Sequence, residues 1–221
     1  MRRMVALLLA VGLLGAIVPT AAATTTKSVA AHGWQVYEST IVPASDPGAA
    51  YAALSPEDQA DVDLALTPVS FGEDRGPVTQ VSGPKVTSTA PDALVGAALT
   101  TSQCWQVTIA RYGTNILGAK LYQLNLWSKW CSNSNKMSLT EWYYRVYPSD
   151  MAILWFYVTG GGYPDVHAYG GPPTFSGEFW AMGRFQYCLA GVQGIGCIQE
   201  KYPWLDIGFR ANGVWWWSSG G

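Results

Sequence analysis

From Gln103 onward, bulky apolar and polar side chains alternate with a period of two, and this alternation constrains the chain more than any other feature. Trp105, Val107 and Ile109 interleave with Gln106, Thr108 and Ala110, and the stretch "YGTN" supplies a turn. Tyr122, Leu124, Leu126 and Trp130 then interleave with Gln123, Asn125, Trp127 and Lys129. After the polar turn "CSNSNK", Thr140, Trp142, Tyr144 and Val146 interleave with Leu139, Glu141, Tyr143, Arg145 and Tyr147. A side chain that switches sides at every residue is what a half-buried strand requires, and no helical period competes with it. Met151 to Val158 is apolar on both faces, which predicts a strand that is central or covered on both sides. Further strands follow over 179–189 and around Leu205, Ile207 and Phe209; the turn "ANG" then leads into "VWWW". These segments predict an all-β fold, an antiparallel β-sandwich of about seven or eight strands over residues 100–221.

The four cysteines, Cys104, Cys131, Cys188 and Cys197, all fall in this region. None forms the Cys-x-x-Cys spacing of a zinc ribbon or a dithiol couple. They allow three pairings. Cys104–Cys131 and Cys188–Cys197 are favoured, because each pair flanks a stretch that reads as local strand pairing. In the loop-closure account each such bridge contributes about 2.5–3.5 kcal/mol.

The amino terminus has a different character. Arg2 and Arg3, the apolar run Met4–Val18 and the small residues Ala21–Ala23 have the layout of an export leader, residues 1–23, cleaved after Ala23. The apolar run stops at Pro19, short of the roughly 20 residues that cross a bilayer. The mature chain is therefore expected to be secreted, into an oxidising space where thiols pair, and to lack a transmembrane segment. Residues 24–99 are rich in Ala, Thr, Ser, Pro and Val and read as a mostly disordered extension. The exception is one short helix near 55–66, announced by Ser55 as N-cap, Pro56 at the first helical position and Glu57 and Asp58 in the first turn. The extension holds nine acids and three bases, and residues 100–221 hold six acids and eight bases. Neither balance is the basic footprint that a nucleic-acid partner requires.

The segments "GRFQYCLAGVQGIGCIQEKYPWLDIGFRANGVW" and "NILGAKLYQLNLWSKWC" resemble a loose group of small secreted proteins of Gram-positive bacteria. The resemblance spans roughly Cys104 to Trp217 and implies export and a β-rich fold. It carries no catalytic motif.

Eleven Trp, twelve Tyr and six Phe are present, and a β-sandwich core can absorb most of them; the aromatics that alternate outward are the candidates for binding. Core positions are assigned to Trp105, Trp130, Trp142, Leu205, Ile207 and Phe209. If Trp142 and Val146 face inward, then Trp127, Glu141, Tyr143, Arg145 and Tyr147 face outward, as an aromatic strip with charges. The loop "GGGYPDVHAYGGPP" adds Tyr163, Asp165, His167 and Tyr169 as recognition residues, since long glycine-rich loops often carry function. In "VWWW", Trp215 and Trp217 share one side and Trp216 takes the other. No histidine cluster, acidic calcium loop or phosphate-binding glycine loop is present, so no metal or cofactor is expected. The carboxylates Glu141, Asp150, Asp165, Glu178, Glu200 and Asp206 include candidates for an acid pair, whose separation only a fold can set. The expected function is therefore recognition of a cell-envelope glycan or a protein surface without catalysis. The alternatives are a carboxylate hydrolase of polysaccharide or peptide, and a membrane-active factor that inserts its Trp-rich end.

Overall fold

A computed structural model describes residues 20–82, 103–132, 142–158, 166–169 and 176–221. In chain order it runs α1 (Thr20–Val36), a π-helical turn (Tyr37–Ile41), α2 (Pro47–Ala52), α3 (Pro56–Ala65), β1 (Ser70–Arg75), β2 (Thr79–Ser82), β3 (Gln103–Thr114) and β4 (Lys120–Ser132). There follow β5 (Trp142–Ser149), β6 (Trp155–Tyr157), β7 (Val166–Tyr169), β8 (Ser176–Met182), β9 (Phe185–Cys188), β10 (Cys197–Lys201), β11 (Trp204–Arg210) and β12 (Trp215–Gly220). All pairings are antiparallel. The first sheet runs β1-β3-β4-β5, with β2 continuing the β1 edge along β3; the second runs β12-β11-β8-β7; a small third sheet runs β10-β9-β6.

The long β3–β4 hairpin turns at Asn115, whose side-chain oxygen accepts from the backbone of Leu117 and Ala119 while its amide donates to Ala65 O at 2.7 Å. The inward residues of this hairpin meet those of the second sheet: Trp130 stacks on Phe209 at 5.1 Å between centroids, and Phe179 packs on Phe209 at 4.8 Å. At the other end Tyr122 bridges to the small sheet, 4.7 Å from Phe185 and 4.8 Å from Trp155. Trp130, Leu205, Ile207 and Phe209 are fully buried, and Trp105 is half-buried against the same core. The two disulfides are Cys104–Cys131 and Cys188–Cys197, each joining directly paired neighbours, and there are no free cysteines.

Three segments depart from the expectations. Residues 20–82 hold far more than the one helix, although α3 does lie at 56–65 with Ser55 Oγ accepting from Asp58 N. The reason is a packing surface that composition does not reveal. Gly33 of α1 lies against α3 so closely that a Cβ there would stand 2.0 Å from Asp61 O. Tyr37, Ile41, Tyr51, Val62 and Leu66 then join the core of the sheets. Tyr51 and Tyr187 both donate to Asp63 Oδ1 at 2.9 Å, tying α3 to β9. A marginal three-turn helix is stabilised by such tertiary burial rather than by its own propensity.

The second departure is Met151–Val158. Only Trp155–Tyr157 is strand, at an edge of the small sheet rather than its centre. Its apolar character is explained by the helical cover, since Trp155 Nε1 donates to Leu66 O and Ile153 N to Tyr37 Oη. Third, the glycine-rich "loop" contains β7, which pairs with β8.

The extension also clasps the C-terminal strand. Glu73 on β1 accepts from Ser219 Oγ and from Trp217 Nε1, and Arg111 reaches the same carboxylate at 3.3 Å. Arg75 lies over the Trp217 ring, 4.2 Å from its centroid. The hydrogen bond from Ser219 is the largest influence on Glu73; burial, the next, opposes it, and the hydrogen bond from Trp217 with the charges of Arg111 and Arg75 leaves the carboxyl below its usual range.

Candidate functional site

The outer face of the first sheet brings several of the expected residues together. In the register Trp127 lies opposite Arg145 and Thr108, Asn125 opposite Tyr147 and Ala110, and Lys129 opposite Tyr143 and Gln106. Directly opposed residues share a face, so Trp127, Arg145 and Tyr147 occupy one side; of Tyr143 only the backbone register, opposite Lys129, is described. Val146 packs toward the core, as that assignment needs. Glu141, Tyr163 and Asp165 lie outside the described residues. His167 and Tyr169 fall on β7 in the second sheet, opposite Trp180 and Glu178, and so do not join this face.

Trp127 stands between two hollows. One, of about 360 Å³, is lined by Trp127, Arg145 and Tyr147. The other, of about 230 Å³, has Trp127 on one side and Gly76, Pro77, Thr79, Gln106, Val107 and Thr108 around it. Both are open, shallow depressions on a sheet surface. The half-buried indole divides them and borders each. The Arg145 guanidinium lies 5.5 Å from the centroid of the Tyr147 ring, an arrangement that holds the cation and leaves its outer N–H groups available.

Beside the hollows the face has a polar floor. Lys120 Nζ donates to Asp74 Oδ2 and to Gln123 Oε1; Gln123 Nε2 donates to Asn125 Oδ1 at 2.9 Å. Asn125 Nδ2 donates in turn to Tyr147 O at 3.2 Å and Ser149 Oγ at 2.9 Å. Gln123 and Asn125 are buried, so each amide group here must be satisfied, and the connected chain stiffens the strand on which Trp127 sits. The hydrogen bond to Asp74 raises the Lys120 pKa, so this cation remains charged throughout the ordinary pH range.

The 230 Å³ hollow was not legible from the sequence. It exists because β2 docks alongside β3, placing Thr79 opposite Gln106. The segment that contributes β2 reads as extended linker, and only the neighbouring strand tells it where to lie.

Two of the six carboxylates singled out above, Glu178 and Asp206, meet on the outer face of the second sheet. Burial, and next the charge of Glu178, push the Asp206 carboxyl up to about 6. Glycoside hydrolysis needs acid groups about 5 Å apart or more, with the scissile bond between them. A pair in carboxyl–carboxyl hydrogen-bonding contact is closer than that. Among the described residues no group of three or more His, Cys, Asp or Glu side chains could hold a metal ion, and no helix is long and apolar enough to cross a membrane.

Fold and faces together define a class: a disulfide-bonded antiparallel β-sandwich with a helical cover and aromatic, polar outer faces. No family model, curated protein or solved structure matches the chain.

Proposed function

We propose that this chain is an exported, non-enzymatic binding domain whose Trp127 face receives a cell-envelope glycan. The observation that carries the reading is the placement of one indole at the border of two open hollows, each with polar groups beside it, on a stiff sheet. A pyranose ring has an apolar C–H face that stacks on an indole and a rim of hydroxyls that need partners. Trp127 supplies the first; Arg145 on one side, and Thr79, Gln106 and Thr108 on the other, supply the second. Shallow open hollows suit a polymer lying across the sheet better than a small molecule enclosed in a pocket. The two disulfides and the leader-like amino terminus agree with work outside the cell.

The test is retention of the purified chain on insoluble cell-wall polysaccharide, comparing the parent with Trp127→Ala and Arg145→Ala. Aromatic and Arg anchors at the centre of an interface dominate its affinity. Loss of the indole should weaken binding by about tenfold or more. Trp127 is half-buried and Arg145 exposed, so the thermal transition of each variant is measured beside its retention to show that it is folded. Equal retention of parent and Trp127→Ala would overturn the assignment of this face. Retention on protein-coated but not on polysaccharide matrix would replace the glycan with a protein partner.

A further inference from the structure

The cations on the outer face of the first sheet are not alike. Lys120 is committed: its Nζ donates to Asp74 Oδ2 at 2.5 Å and to Gln123 Oε1 at 3.0 Å, and lies 4.1 Å from the Tyr112 centroid. Lys129 has a partner of its own. Arg145 has a ring: its guanidinium carbon lies 5.5 Å from the Tyr147 centroid, and among the described residues it forms no ion pair and no hydrogen bond.

The place of Arg145 gives that difference a use. It is exposed on β5, directly opposite the half-buried Trp127 of β4, with Tyr147 two residues further along the same face. These three side chains line the hollow of about 360 Å³. The described acids nearest to it on this sheet are engaged at its far end, where Asp74 binds Lys120 and the charge of Asp150 also acts on that lysine. No described carboxylate lines the hollow.

Directly opposed side chains on paired strands have Cβ atoms about 5 Å apart. A pyranose stacked on the indole therefore has its edge beside the guanidinium. If that ring bears a carboxylate on its exocyclic carbon, the acid group falls over the neighbouring strand, where Arg145 stands. The guanidinium is a planar fork that matches a carboxylate with two parallel N–H···O bonds, and charge-assisted bonds of this kind are about twice as strong as neutral ones. Sugar hydroxyls accept from the same N–H groups only singly, in exchange for equivalent bonds to water, with little net gain. Tyr147 holds the cation in place beforehand, which lowers the entropy lost on binding. With a formal net charge of −2 the chain as a whole does not attract polyanions, so a preference for acid has to come from this local match.

We propose that Arg145 determines the specificity of the Trp127 face and selects glycans built from uronic acids, with the pyranuronate ring on Trp127 and its carboxylate paired with Arg145. This inference rests on the glycan reading of that face and narrows its ligands to acidic polysaccharides.

The experiment is calorimetric titration of the full chain with an α-linked galacturonic acid tetrasaccharide and with its fully methyl-esterified counterpart, which keeps every ring and hydroxyl but loses the charge. The acid should bind about tenfold more tightly than the ester. Arg145→Gln should make the two equal. Arg145→Lys keeps the charge without the fork and should retain only part of the preference. Trp127→Ala should weaken both sugars, and a thermal transition recorded for each variant shows that it is folded. Equal binding of acid and ester by the parent, with both weakened in Trp127→Ala, overturns the acid preference and leaves the glycan reading standing. If neither sugar binds while the chain is still retained on cell-wall polysaccharide through Trp127, the uronate assignment alone is overturned; absence of that retention overturns the glycan reading with it. An oligomer of glycerol phosphate that binds as tightly as the acid sugar also overturns the proposal, because charge without a ring would then suffice.

Discussion

Replacing Asp206 with Asn should make this protein more stable at neutral pH, the opposite of what most substitutions at a half-buried polar site do. Asp206 has an ordinary value of 3.8 in the unfolded chain and about 6 in the folded one, for which burial is the first cause and the charge of Glu178 the second. A carboxyl whose pKa rises on folding is tolerated best when protonated. Its stability is therefore full below pH 3.8 and is lost as pH climbs through about 6. For a fully enclosed group the gap would be worth about 3 kcal/mol. Asp206 keeps contact with solvent, and screening reduces the expected effect to about 1 kcal/mol. Asn keeps the acceptor for Ser218 Oγ and adds an amide that can donate to Glu178, so the geometry of the face is retained. At pH 8 the variant should melt about 2–4 °C above the parent. At pH 3.5, below both the folded and the unfolded values of Asp206, the difference should vanish. Differential scanning calorimetry of the two proteins across this range is the assay. A gain that is the same at both pH values, or a variant less stable than the parent at pH 8, would refute the account of a repelling pair.

Two further expectations concern how the chain is held together. Glu73→Gln keeps one acceptor oxygen, for Ser219 or Trp217 but not both, and removes the charge that Arg111 and Arg75 face. Because the folded pKa of Glu73 is lowered, its contribution is complete above the ordinary value of 4.5 and fades as pH falls below it. Urea denaturation should show a loss of about 1 kcal/mol at pH 7 and almost none at pH 3; a loss that persists at pH 3 would place the effect in packing rather than charge. For the disulfides, the Cys104–Cys131 bridge spans 27 residues and the Cys188–Cys197 bridge spans 9. Chain-entropy reasoning gives about 3.6 and about 2.6 kcal/mol respectively. The Cys104→Ser/Cys131→Ser variant should therefore unfold at the lower denaturant concentration, and the reverse order would contradict that model.

The acid pair also bears on why the two outer faces differ in legibility. Trp127, Tyr143, Arg145 and Tyr147 could be grouped from the sequence because they alternate within two strands joined by one turn, and a period of two places such residues on one face. Glu178 and Asp206 stand on strands separated by β9, β10 and a disulfide loop, and nothing local states their register. The same distinction explains the helical cover. The Ser55–Pro56 start is a local signal and is read directly, whereas α1 is stabilised by Gly33 meeting α3 and by Tyr37 reaching Ile153.

The alternation after Gln103, the spacing of the cysteines and the helix start at Ser55 together determined strands, bridges and one capped helix, because each depends on backbone geometry within a few residues or on neighbouring strands. Only the tertiary structure decided that β1 and β2 extend the first sheet, that Trp127 borders two hollows, and that two carboxyls meet on the second sheet. Those outcomes depend on which strands pair across long stretches of chain, and pairing of that kind is set by the burial of the whole core, to which no single segment holds the information.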